Sequence, residues 1–152
     1  DISPHGTDSG TLDTLAGGHS VLLRLFGDTI DFSATPANEL AEMLLTAIDR
    51  ANRGEKAAMK ASAEAGRVLG KALVPFIGLL RPEAFVIAGP MAAASDYVAA
   101  CGEAVLEQAP AFAARMLVSD MSAQAAARWV AIGEFLMERD LNLEELKTSR
   151  AA

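Results

Sequence analysis

The chain has one cysteine, few aromatic side chains, no basic run and no long apolar stretch free of charge, and each shortage excludes a class of protein. The single cysteine among 152 residues, Cys101, has no partner for an internal disulfide. A disulfide-stapled scaffold is therefore excluded, and a reducing, cytoplasmic location is expected. With alanine, glycine and valine around it, Cys101 reads as a small packed hydrophobe rather than a nucleophile. The formal charge is −7 with a pI near 4.8, a balance that repels phosphate backbones and acidic lipid surfaces. Direct nucleic-acid contact by this segment and membrane binding are not expected. Residues 72–98 are apolar, yet Arg81, Pro82 and Glu83 fall in their middle at a high cost in hydrocarbon, so a membrane span is rejected. The start, Asp1-Ile2-Ser3-Pro4, has neither a methionine nor a basic signal-peptide region, and the chain reads as part of something longer.

Just over half of the residues are apolar, much of that alanine, while aromatics make up 5%. This composition suits helices packed closely through small side chains. A chain of this length can bury roughly 68–70% of the surface it exposes when unfolded, enough for one sizeable core. Glycine-, serine- and threonine-rich residues 1–18 read as a loop leading into a helix at about Leu12 to Phe26. Thr35-Pro36 gives a helix start, with threonine as cap and proline at the first helical position. Leu40, Met43, Leu44, Ala47 and Ile48 then recur at helical spacing until Gly54. From Glu55 to Leu80 a second long helix is expected to turn a face from Ala58 through Ala65, Leu69 and Phe76 to Leu80 toward the core, with a kink at Pro75.

The most telling segment runs from Leu79 to Pro90. Pro82 stops the long helix, Phe85 to Ile87 is apolar and short enough for a covered strand, and Gly89 follows it. Without a β-carbon, Gly89 can take positive φ or approach another molecule closely, and the carboxyl end of a strand is where α/β sheets commonly hold ligands. A plain chain-reversing turn is the competing reading. Ala93 to Gln108 reads as helix, Arg115 to Ser119 as a second strand and Ser122 to Met137 as a third long helix. That order implies a right-handed crossover between parallel neighbours near 85–88 and 115–119. Two strands are too few for a buried parallel sheet, so a segment absent from this chain is expected to complete it. The whole of 1–152 reads as one partial domain: loop and first helix to 34, two long helices over 35–81, strand–helix–strand–helix over 82–139, and a solvated tail over 140–152.

Four stretches stand in order along the chain: Gly10-Thr11-Leu12-Asp13-Thr14-Leu15-Ala16-Gly17-Gly18, Gly54-Glu55-Lys56-Ala57-Ala58, Leu69-Gly70-Lys71-Ala72-Leu73, and Leu79-Leu80-Arg81-Pro82-Glu83 with Val86-Ile87-Ala88-Gly89. They resemble, respectively, the GCLE-x-x-ASG stretch, the AGD-x-A helix start, LG-x-AL and LLNPE-x-VVLGG of the ROK family of bacterial sugar kinases and sugar-responsive repressors, built on the actin/hexokinase-like ATPase fold. The resemblance implies an α/β fold, the helix-rich C-terminal lobe of a two-lobed protein that holds sugar and ATP, with magnesium, between its lobes. It also implies that Gly89 faces the nucleotide, while Pro90 replaces the usual second glycine and removes a backbone donor.

Asp13 matches the glutamate that contacts a sugar hydroxyl in the family, although it is one methylene shorter, so the bond is either lost or made through water. Read without the family, Asp13 is a charge favoured at a helix start by the macrodipole. The family's structural zinc motif would fall at about Pro4 to Thr11, where no cysteine stands, so no zinc is expected. His5 reads as an exposed loop residue and His19 as a helix-surface residue. Gly66 to Lys71 lacks both the spacing and the hydroxyl of a phosphate loop, and Gly66 and Gly70, four apart on one helix face, read as a close-packing pair. Asp120 or Ser122 is expected to cap the last helix, and Trp129 to anchor a core or an oligomer.

The resemblance implies an ATP-dependent hexose-type kinase once the chain is joined to its own N-terminal lobe, which would carry the phosphate loop and catalytic aspartate. A sugar-sensing transcriptional regulator or catalytically silent relative is the alternative, and an interaction fragment with a helical oligomer interface is the generic third. A homo-oligomer is expected.

Overall fold

A computed structural model describes residues 11–113, 116–119, 121, 125, 127 and 128. The order of elements is α1 (Leu12–Ala16), α2 (Gly18–Phe26), a 3-10 turn (Gly27–Thr29), α3 (Ala37–Asn52), α4 (Lys56–Leu80), β1 (Phe85–Ile87), a 3-10 turn (Pro90–Ala93), α5 (Ser95–Gln108), α6 (Pro110–Ala113) and β2 (Met116–Val118). The chain divides after residue 120, and of its second unit only Met121 and the helical Ala125, Ala127 and Arg128 are described. The helix expected over Ser122–Met137, its cap, Trp129, His5, the zinc-motif residues Pro4–Gly10 and the 140–152 tail lie essentially outside the described residues.

The helix expected over Leu12 to Phe26 is two helices, broken at Gly17, whose φ of −87° and ψ of −174° are extended. A β-carbon on Gly17 would lie 2.6 Å from the Asp13 carbonyl oxygen and against the Asp13 carboxylate. The carbonyls left open at the end of α1 are taken up by side chains: Ser20 Oγ donates to Leu15 O at 2.7 Å, and the buried Tyr97 hydroxyl donates to Ala16 O at 2.9 Å.

Thr35 is not the cap of α3. Its hydroxyl donates to Asp31 O at 2.7 Å, and Pro36 occupies the cap position, so the helix begins one residue later than the threonine–proline rule places it. Asp31 organises the approach by accepting from Ser33 N at 3.0 Å and Ala34 N at 3.2 Å, and hydrogen bonds from Ser33 hold its carboxyl below the ordinary range. At the other end, Gly54 at φ +88° turns the chain into α4, and Arg50 pairs with Glu55 across the corner.

Helix α4 continues past Pro75 to Leu80 and ends on Arg81 in the left-handed region, with Arg81 N–H donating to Ile77 O at 3.0 Å. Its buried positions are Ala58, Ala61, Ser62, Ala65, Gly66, Gly70 and Ile77. The core-facing stripe thus stops short of its expected length: Phe76 and Leu80 are 56% and 69% exposed. The core joins Val21 and Leu22 of α2, Ala47 and Ile48 of α3, Ala61 and Ala65 of α4, Ile87, Met91, Ala94, and Tyr97 and Cys101 of α5. Cys101 packs there as the small hydrophobe expected, fully buried.

Strands β1 and β2 pair in parallel, Phe85 with Met116, Val86 with Leu117 and Ile87 with Val118, as the crossover order predicts. Among the described residues Ile87 is buried on one face of the pair while Val86 and Leu117 on the other are more than half exposed, and Val118 on the Ile87 face is 51% exposed, so the sheet is only partly covered. Among the described residues no helix is long and apolar enough to cross a membrane.

Candidate functional site

The turn after β1 lies at the carboxyl end of a parallel strand and has an enforced backbone shape. Gly89 has φ +84° and ψ −174°, a region that only glycine visits without strain. Pro90 follows at the first position of the 3-10 turn, which closes through Ala92 N–H to Gly89 O at 3.0 Å and Ala94 N–H to Met91 O at 3.1 Å. A β-carbon on Gly89 would meet nothing within 4 Å. Backbone geometry rather than crowding thus demands glycine here, and the surface beside it is free to receive a ligand.

Beneath this turn lies a cleft of about 230 Å³, lined by Leu69, Leu73, the β1 residues, Met91 and Tyr97. Its wall is apolar, suited to a flat, weakly polar surface rather than to phosphate. Tyr97, which sequence reasoning did not single out, links this cleft to the other candidate region, because its hydroxyl reaches α1 at Ala16. Burial, then the neighbouring Cys101 and Asp13, push its pKa up to about 12, and burial pushes the Cys101 thiol up to about 11.

Both groups have folded-state values above their unfolded ones, so the stability they carry is complete at neutral pH. It drains away as pH rises from about 9 to 11 for Cys101 and from about 10 to 12 for Tyr97. Unfolding monitored by circular dichroism is expected to show falling stability from about pH 9 upward. Tyr97→Phe is expected to cost about 1–3 kcal/mol at neutral pH, since it leaves the Ala16 carbonyl without its buried donor.

Asp13 stands exposed in the first turn of α1, which Thr11 caps by accepting from Thr14 N at 3.3 Å. That position satisfies the macrodipole and equally leaves the carboxylate open to a hydroxyl-bearing ligand. Asp13 belongs with Gly17 and Tyr97, whereas Gly89 and Pro90 belong with the turn and with the end of α3, so the structure presents two neighbourhoods joined by Tyr97. His19, expected on the helix surface, is half-buried there and stacks on Phe32 with ring centroids 3.9 Å apart. Among the described residues no three His, Cys, Asp or Glu side chains come together to hold a metal ion.

Helices packed with a parallel strand pair, and a glycine-shaped turn at the first strand's carboxyl end, make this a helix-rich α/β arrangement. The sequence matches the ROK family over residues 8–140, and the chain belongs to that family. No curated protein and no solved structure matches it.

Proposed function

We propose that this chain is the C-terminal lobe of a ROK-family sugar kinase-like protein of the actin/hexokinase-like fold, one partial domain that works only with its N-terminal lobe. The observation carrying this reading is the family match that runs unbroken through both candidate neighbourhoods, Asp13 and Gly89. A parallel sheet of only two strands among the described residues supports further strands alongside β1 and β2 in the complete protein, and the exposed Val86 and Leu117 support a layer covering them.

In this reading the apolar cleft under Gly89 takes the nucleoside end of ATP, and the bare backbone at Gly89 lets it approach closely. Pro90 offers no N–H, so contact at this turn is through shape rather than donated hydrogen bonds. Asp13 accepts from a hydroxyl of a hexose-type sugar. Transfer joins the sugar oxygen to the γ-phosphorus as the bond to the β–γ bridging oxygen breaks, and the hydroxyl proton passes to an aspartate of the other lobe. Such a reaction depends on positioning and charge stabilisation, for which ATP comes with magnesium. Among the described residues no cluster of His, Cys, Asp or Glu stands ready to hold that ion.

Pro90 also favours a second reading, a cytoplasmic sugar-sensing regulator in which ligand shifts the lobes without turnover. The complete protein, assayed across hexoses, is expected to release ADP only when its sugar is present. Asp13→Ala is expected to raise the sugar KM about tenfold or more, the scale of one lost charged hydrogen bond. Sugar binding without turnover would remove the kinase and leave the regulator.

A further inference from the structure

Asn52, the last residue of α3, makes a long-range side-chain bridge to the turn that follows Gly89. Its Nδ2 donates to Ala93 O at 2.9 Å, and its Oδ1 accepts from Ser95 N at 3.3 Å and from Ser95 Oγ at 3.3 Å. The pairing matches amide chemistry, with donor facing carbonyl and acceptor facing N–H. Helix α5 needs it, because Ala94 at its cap position has no side chain to receive the first N–H groups, so the cap comes from a residue more than forty positions earlier.

The corner that presents Asn52 is itself held. Arg50 pairs with Glu55, Arg53 lies 2.8 Å from Asp49, and Gly54 N–H donates to Ala51 O at 2.8 Å. On the other side, Ala93 closes the 3-10 turn that starts at Pro90, immediately after the left-handed-side glycine. One amide thus fixes the far end of the same short turn whose near end is fixed by Gly89 and Pro90.

We propose that Asn52 is a positioning residue for the ligand-facing turn: by clamping Ala93 and Ser95 it holds Gly89–Ala94 in the shape that receives an adenine nucleotide. This rests on the reading of Gly89 as nucleotide-facing. Asn52 need not touch the nucleotide, and its effect is to spare the ligand the ordering of the turn.

The test uses the complete protein, with ADP as the probe in titration calorimetry and amide hydrogen exchange across residues 91–95. Asn52→Ala is expected to weaken ADP about tenfold at unchanged stoichiometry, the scale of a lost hydrogen-bonded preorganisation, and to quicken exchange at Ala94 and Ser95. Asn52→Asp keeps the acceptor for Ser95 N–H but loses the donor to Ala93 O, and should recover part of the protection at Ser95 alone. Thr46→Ala, on the solvent side of the same helix, should change neither quantity. Quickened exchange with unaltered ADP affinity would overturn the inference and spare the nucleotide reading. A loss of binding stoichiometry with a fallen urea midpoint would also overturn it, as a general destabilisation. Wild-type protein that takes up no ADP would overturn both.

Discussion

Gly66→Ala is expected to destabilise the protein by about 2 kcal/mol, while the chemically identical change Gly78→Ala, twelve residues along the same helix, is expected to stabilise it by about 0.5–1 kcal/mol. A β-carbon at Gly66 would press into the Tyr97 carbonyl oxygen and lie 2.8 Å from its carbonyl carbon, where the obstacle is the backbone of α5 and cannot swing aside. At Gly70 the obstacles are the Cys101 carbonyl oxygen and the Ala104 β-carbon, the latter at 2.7 Å, so Gly70→Ala should behave like Gly66→Ala. At Gly78 nothing lies within 4 Å, and only the helix-propensity gain of alanine remains. The gain of about 1 kcal/mol from propensity is present at all three sites, so the opposite sign at Gly66 isolates the overpacking of α4 on α5. Denaturant midpoints of the three variants measure it. Equal shifts at Gly66 and Gly78 would mean that the two helices do not approach so closely.

Gly89→Ala tests the turn by a different physical route. The space beside Gly89 is empty, so no collision results, but φ +84° with ψ −174° is a conformation that an alanine holds only at about 1–3 kcal/mol. Part of that strain can be relieved by letting the turn swing, because its surroundings are open. The expected result is a modest fall in the denaturant midpoint together with at least a tenfold loss of ADP affinity in the complete protein, read by calorimetry. A variant that loses the stability alone would leave Gly89 as a chain-reversing glycine and nothing more.

The long elements were legible because their signals are local. Helical spacing from Leu40 to Ile48, Gly54 as the end of that helix, Pro82 as the end of α4 and the apolar run at β1 each depend on neighbours a few residues away. The Gly66–Gly70 pair was legible for the same reason: four-residue spacing puts both on one helix face. What escaped depends on partners that sequence cannot place. Tyr97 meets Ala16 across 81 positions, and Asn52 meets Ser95 across 43, with nothing in either neighbourhood to announce the bond. The break between α1 and α2 follows from an extended Gly17 whose close approach to Asp13 leaves no room for a β-carbon, and Thr35 lost the cap because the Asp31 carbonyl claimed its hydroxyl. The overlong stripe on α4 is a subtler failure, since periodicity identifies a face but not where its cover ends.

The half-covered sheet carries a practical consequence. Val86, Leu117 and Val118 on the short strands and Phe76, Leu79 and Leu80 at the end of α4 are all more than half exposed. Backbone pairing groups at open strand edges recruit other chains, and apolar neighbours reward the encounter. Preparations of this segment by itself would therefore clump and precipitate before they lost their helices, so light scattering would report the trouble sooner than circular dichroism.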